Sequence, residues 1–292
     1  MRLRSLLFVP GDSERKFARA CTCGADGLIL DLEDAVTPAR KPLARDIVRG
    51  WLGTPRPRPW SCWVRINALE TGMALEDLAA VVQPGLDGVV LPKSDGAADL
   101  VRLGHYLDAL EAAAGMGVGG TRVLVVSTET PRAMFNLGGY APAHPRLAAL
   151  TWGAEDLAAA IGAAANKAVE GDWTQPYQTA RTLCLFAAAA AQVAPIETLY
   201  ADFRDTDGLA ASCRVARRDG FTGRIAIHPD QVATINACFT PSDEDSAHAR
   251  RVVAAFAAQP QAGTVGMDGQ MYDLPHLKAA RRILSAVEDA KP

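Results

Sequence analysis

The chain has 292 residues, 49% hydrophobic and 22% charged, with a formal net charge of −3 at pH 7. That length buries a large core and fits either one big α/β barrel or two smaller domains. There is no basic excess and no Lys/Arg-rich block, which disfavours nucleic acid and anionic membrane as partners.

The first apolar run, "SLLFV" (5–9), is too short for a signal-peptide core and is cut by Pro10-Gly11. It reads as the first of eight strands. The others are "GLILDL" (27–32), "CWVRI" (62–66), "GVVLP" (88–92), "RVLVV" (122–126), "LAALTW" (147–152), "ETLYADF" (197–203) and "RIAIH" (224–228). A segment with helical spacing follows each run. Examples are "SERKFARAC", "PARKPLARDIVRGWL", "ADLVRLGHYLDALEAAAG" and "TDGLAASCRVARRDG". Near-continuous apolar strands joined by helices predict a parallel sheet covered on its outer face. Eight such units fit a closed (β/α)8 barrel over residues 1–240, with an open doubly wound sheet as the alternative. The segment "GMGVGG" (115–120) matches a dinucleotide fingerprint, but a helix precedes it and a strand follows, so it reads as a plain loop. The longest apolar run, "LCLFAAAAAQVA" (183–194), is too short and Ala-rich to span a bilayer and predicts a buried helix. Residues 241–292 form a helical extension with a Gly-rich turn, "GTVGMDGQMYDLP", and are expected to cover a barrel mouth or a neighbouring subunit. In "DEDSAHARR" we read a solvated helix start. Six cysteines without a C-x-x-C pair point to reduced core thiols in a cytoplasmic protein.

Barrel chemistry sits at the carboxyl ends of the strands. There this chain places Asp31, Glu33 and Asp34, then Arg65 and Asn67, Lys93, Glu129, Glu155 and Asp156, Asp202 and His228. Glu129 and Asp156 end neighbouring strands. Two carboxylates so close repel unless a cation lies between them, and an all-oxygen set completed by water and substrate suits Mg²⁺. The competing reading makes both acids helix caps. Of Glu155 and Asp156, we assign Asp156 as the ligand. Arg65, on an apolar strand, needs an anionic partner: Glu33 or Asp34 as scaffolding, or a substrate carboxylate. Glu33 joins it as a candidate catalytic residue. His228 is expected to orient its loop; Asp31 and Asp202 read as network residues.

The segments "RSLLFVPGDSERKFARA", "GADGLILDLEDAV", "WVRINALETG", "LDGVVLPK", "TWGAEDLA", "DGFTGRIAIHPDQVATIN" and "GQMYDLP" closely resemble the citrate lyase β-subunit / malyl-CoA lyase family of aldolase-like CoA-ester lyases. The resemblance runs in order along essentially the whole chain. It implies a (β/α)8 barrel with a C-terminal extension, assembled as a homotrimer. It also implies Mg²⁺-dependent cleavage or formation of the bond between an acyl-thioester carbon and a 2-oxo acid. On this resemblance Glu129 and Asp156 are metal ligands and Arg65 holds the substrate carboxylate. Asp273 is an acid/base contributed across a subunit interface, with a helix cap as its plainer role. CoA contacts fall to Arg15, Lys16 and Lys93, whose plainer reading is surface charge. One departure concerns "STETPRAMFNL": Thr128 and Pro131 stand where the family carries an aliphatic and a small residue. Three rivals remain at this stage: an aldolase acting on free pyruvate, a subunit acting on an acyl-carrier-protein thioester, and a non-catalytic scaffold that has kept the fold.

Overall fold

The computed structural model describes residues 1–53, 57–169 and 171–289. Two compact units result: Leu3–Asn236, and Met1–Arg2 with Ala237 onward.

In the first unit, eight parallel strands close a barrel in sequential order. They are β1 Ser5–Pro10, β2 Gly27–Asp31, β3 Ser61–Arg65, β4 Gly88–Leu91, β5 Arg122–Val126, β6 Leu147–Thr151, β7 Ala194–Glu197 and β8 Gly223–Ala226. The main helices among them are α1 Glu14–Ala20, α2 Lys41–Leu52, α3 Ala74–Val81, α4 Ala97–Ala113, α5 Pro131–Asn136, α6 Glu155–Ile161, α7 Gln175–Ala191, α8 Thr206–Asp219 and α9 Val232–Phe239. This is the (β/α)8 barrel that the strand–helix rhythm predicts. The closed order also removes the open-sheet alternative.

The barrel interior is packed, not hollow. Leu6, Ile29, Trp63, Val90, Leu124, Ala149, Ile196 and Ile225, one from each strand, meet in a single buried cluster. Trp63 is the bulkiest of them, and Gly88 on the adjacent strand makes room for it. A Cβ at Gly88 would lie 2.3 Å from the indole.

Two expectations need correction. The seventh strand is Ala194–Glu197, not 197–203. The run "ETLYADF" has strand-like composition, but most of it forms the loop leaving the barrel, so Asp202 sits on an exposed turn and not on a strand. The Ala-rich helix α7 is not buried all round. Ala180, Cys184, Ala187, Ala188 and Ala191 form its inner face, while Phe186 is exposed. The segment "GMGVGG" lies between α4 and β5 as a loop, as expected.

The second unit pairs two helices, α10 Asp243–Ala258 and α11 Leu274–Asp289, with a two-stranded hairpin. The expected Gly-rich turn is this hairpin: β9 Thr264–Met267 and β10 Gln270–Asp273 run antiparallel. Asp268-Gly269 turns the chain with both φ angles positive, 54° and 75°, as two-residue hairpins require. Phe256, Val265, Tyr272 and Leu277 form part of its own core. Ser242 caps α10 through a reciprocal capping box with Asp245. Among the described residues no helix is long and apolar enough to cross a membrane.

Candidate active site

The site is built from the loops that leave β2 to β6. Arg65 ends β3 opposite Asp31 at the end of β2. Asp31 accepts from the guanidinium at 2.8 and 2.7 Å, side-on. It also accepts from the Glu33 and Ala35 N–H groups, at 2.9 and 3.1 Å, so its position is fixed. Glu33 completes the grip, 3.0 Å from Arg65 Nη1. Of the two partners expected for Arg65, Glu33 is therefore present, and Asp34 is not; the network role expected of Asp31 is filled. Burial opposes the Arg65 charge, but the Asp31 bonds and the Asp31, Glu33 and Glu129 charges outweigh it and raise its pKa.

Lys93 follows β4 in the left-handed region, with φ of 50°, a conformation uncommon for a residue with a Cβ. That turn aims its backbone N–H at Glu129 Oε2, 2.6 Å away. Its ammonium points the other way, onto Glu33, onto Asp34 at 3.1 Å and toward Asp156 at 3.4 Å. Burial again opposes the charge, and the surrounding carboxylates raise its pKa.

Glu129 follows β5 and is buried, 5% exposed. The helix after it is capped by Thr130, whose Oγ1 accepts from the Ala133 N–H at 3.0 Å. Asp156 lies in the first turn of α6, whose N-cap is Ala154. Neither acid is the cap, so the capping alternative falls away. Thr128 Oγ1 bonds both backbone groups of Gly153, 3.1 Å from N and 3.3 Å from O. Gly153 lies against Glu129 so closely that a Cβ there would stand 2.9 Å from the Glu129 Cγ. Burial first, then the charges of Asp156 and Glu33, push the Glu129 carboxyl up to about 8 despite the Lys93 N–H. Burial also raises Glu33, against the pull of Arg65 and Lys93.

Glu129, Asp156, Asp34 and Arg65 line one cavity of about 240 Å³. Among the described residues no group of three or more His, Cys, Asp or Glu side chains could hold a metal. What this cavity offers is two carboxylates from adjacent strands, all-oxygen donors with room beside them. That set fits a hard divalent cation completed by water and substrate oxygens. Such an ion would neutralise the charge that burial makes unfavourable on Glu129.

A second cavity, of about 600 Å³, shares Phe8, Arg65 and Leu199 with the first. Arg15, Lys16 and Arg19 of α1 line it, with His228. His228 accepts from the Asp230 N–H at 3.3 Å and caps a short helical turn, which fits a loop-orienting role. In the second unit, Asp273 Oδ1 lies 2.5 Å from His276 Nδ1. This contact holds the Asp273 carboxyl below the usual range.

The family model described as HpcH/HpaI aldolase/citrate lyase matches residues 4–229. The chain belongs to the HpcH/HpaI aldolase/citrate lyase family. It is 33% identical over 287 residues to the (3S)-malyl-CoA thioesterase of Cereibacter sphaeroides, covering 98% of this chain and 94% of that protein. It is likewise 33% identical over 287 residues to the citrate lyase subunit beta of Escherichia coli, covering 98% and 93%. The crystal structure of CitE from Mycobacterium tuberculosis, in complex with magnesium, acetoacetate and coenzyme A, superposes with a TM-score of 0.77. That pair is 33% identical and covers 98% of both chains.

Within this member of the HpcH/HpaI aldolase/citrate lyase family, sequence reasoning overlooked three relationships. Lys93 sits among carboxylates, Thr128 joins the ends of β5 and β6, and Arg19 extends the basic wall of the second cavity. Only the last had a sequence signal, the four-residue spacing of Arg15 and Arg19 on one helix face. The Lys93 arrangement depends on a positive φ in "LPKSDG" that no residue type there announces.

Proposed function

We propose that this chain is a Mg²⁺-dependent carbon–carbon lyase. It cleaves or forms a 3-hydroxyacyl-CoA such as malyl-, citramalyl- or citryl-CoA, with an acyl-CoA and a 2-oxo acid as the other side of the reaction. The observation that carries this reading is the convergence of the buried Glu129 with the part-exposed Asp156 and Arg65 on one cavity. The CitE complex with magnesium, acetoacetate and coenzyme A supports it.

Glu129 and Asp156 would hold the ion, which lends Lewis acidity to the oxygen that becomes the new carbonyl. Arg65, braced by Asp31 and Glu33, grips the carboxylate of the acid half and fixes its orientation. The hydroxyl gives its proton to solvent water, its C–O bond becomes C=O, and the C–C electron pair moves onto the acyl α-carbon. Asp273 from a second copy in a homotrimer removes the α-proton in the condensation direction and, in cleavage, passes a proton taken from solvent to that carbon. Arg15, Lys16 and Arg19 offer cations to the phosphates of CoA along the second cavity.

The test is to assay the wild type, Glu129→Ala and Asp156→Ala against malyl-, citramalyl- and citryl-CoA, with and without Mg²⁺. We expect activity only in the wild type with the ion. Equal rates in all three proteins, with the parent active without Mg²⁺, would sink the reading. Release of free CoA and the intact hydroxy acid, with no 2-oxo acid, would reassign it to thioester hydrolysis, the activity named for the Cereibacter sphaeroides relative. A protein inert toward CoA esters but active on a carrier-protein thioester would be a citrate-lyase-type subunit instead. Turnover of free pyruvate with no thermal shift from CoA would make it a plain aldolase.

A further inference from the structure

The cavity that holds Glu129 and Asp156 has a charge pattern that discriminates among 2-oxo acids. Among the described residues Arg65 is its one basic lining side chain, against Asp34, Glu129, Glu155 and Asp156. A guanidinium has five N–H donors. Two are engaged side-on with Asp31, at 2.8 and 2.7 Å. Nη1 also stands 3.0 Å from Glu33. What remains is one end-on edge, enough for a single carboxylate.

Much of the remaining wall is apolar. Val90, Leu124, Val126 and Ile225 line it and belong to the barrel core. Besides Arg65 and the acids, the hydroxyl-bearing lining residues are Thr151 and Thr198. Thr151 Oγ1 is buried and lacks a hydrogen-bond partner; a neutral hydroxyl does not balance a charge.

We propose that the acid half of the substrate is a monocarboxylic 2-oxo acid with a short alkyl arm, and that a second carboxylate is rejected. This rests on the lyase reading above and narrows it. The carboxylate takes the free edge of Arg65, and the alkyl arm lies on the core wall within the cavity of about 240 Å³. A second carboxylate on that arm would be buried without a free cation, since the nearby Lys93 ammonium is already shared by Glu33, Asp34 and Asp156.

The experiment compares kcat/KM of the full-length protein with Mg²⁺ on citramalyl-, malyl- and citryl-CoA, and in parallel the thermal shift given by pyruvate and by oxaloacetate. The methyl-bearing citramalyl ester is expected about tenfold above malyl, and about a hundredfold or more above citryl. Pyruvate is expected to raise the melting temperature and oxaloacetate to leave it unchanged at the same concentration. Citryl-CoA cleaved as well as citramalyl-CoA, or oxaloacetate stabilising as strongly as pyruvate, overturns the inference while the lyase reading stands. If no ester is cleaved yet pyruvate alone stabilises, the lyase reading fails and the selectivity survives as a property of the cavity.

Discussion

Thr128 bridges the ends of β5 and β6: its hydroxyl accepts from the Gly153 N–H at 3.1 Å and donates to the Gly153 carbonyl at 3.3 Å. These are the strands from which Glu129 and Asp156 emerge. Replacing Thr128 by valine keeps the shape and removes the bridge. The expected result is a loss of about 1–2 kcal/mol in stability and about a tenfold weaker Mg²⁺ affinity. Denaturant melts and Mg²⁺ titration calorimetry measure the two. If both stay at wild-type values, the bridge has no part in placing the acids.

Lys93 puts one ammonium among Glu33, Asp34 and Asp156. With Lys93→Gln, Asp34 and Asp156 lose that cation and Glu33 keeps only Arg65. The variant should melt lower than wild type in EDTA and recover more on addition of Mg²⁺, because the ion then relieves a larger repulsion. Thermal melts with and without Mg²⁺ decide this, and equal Mg²⁺-induced shifts in both proteins would count against it.

Arg65→Lys keeps the charge but loses the planar fork that reaches Asp31, Glu33 and a substrate carboxylate together. We expect kcat/KM to fall about a hundredfold or more, with the melting temperature lowered as Asp31 loses its side-on partner. Steady-state kinetics on the best ester measure this. A variant within a few-fold of wild type would remove Arg65 from substrate binding.

Far from the site, Glu111 of α4 is buried and accepts from Arg146 at 2.9 and 2.6 Å. Burial opposes its charge, but Arg146 and the N–H groups of Thr121 and Gly119 outweigh that and hold the carboxyl down at about 2, against an ordinary 4.5. The unfolded chain therefore binds more protons than the folded one between those values. Stability from this group is complete above about 4.5 and drains away as the pH falls toward 2. Glu111→Gln should be less stable than wild type by about 3–5 kcal/mol at neutral pH, and the gap should close in acid. Urea melts across the acid range are the check; a gap that does not change with pH contradicts it.

Asp273→Asn retains a side-chain oxygen next to His276 and so can keep the start of α11 intact. We expect unchanged melting and unchanged Mg²⁺ binding, with turnover reduced about a hundredfold or more. Full activity in this variant would leave Asp273 as a helix cap.

The barrel was largely legible because each strand is a compact apolar run and each helix keeps its own spacing. Where the reading slipped, at β7, the strand is four residues, "APIE", attached to the end of an Ala-rich helix and containing Pro195. A proline reads as a breaker, and the β-branched and aromatic run just after it, 197–203, drew the assignment downstream. At the site, residue type was enough to mark Glu129, Asp156 and Arg65, since acids and an arginine in apolar strand ends need a partner. Direction was not encoded. Lys93 could equally have faced solvent; its left-handed backbone, which aims the N–H at Glu129, and its ammonium contacts with Glu33, Asp34 and Asp156 are set by the fold. His276 beside Asp273 was hidden because its meaning depends on a helix start whose first turn brings the two together.

Glu129 is boxed in by main chain: the Lys93 amide takes one oxygen, and the absent side chain of Gly153 lets the carboxyl lie flat against the adjoining loop. Backbone atoms are the same whatever residue carries them. The barrel wall, by contrast, is made of interchangeable side chains. Mutation can therefore reshape what the cavity admits while the anchoring oxygens stay where they are, and new selectivity can arise on this scaffold without dismantling its reactive centre.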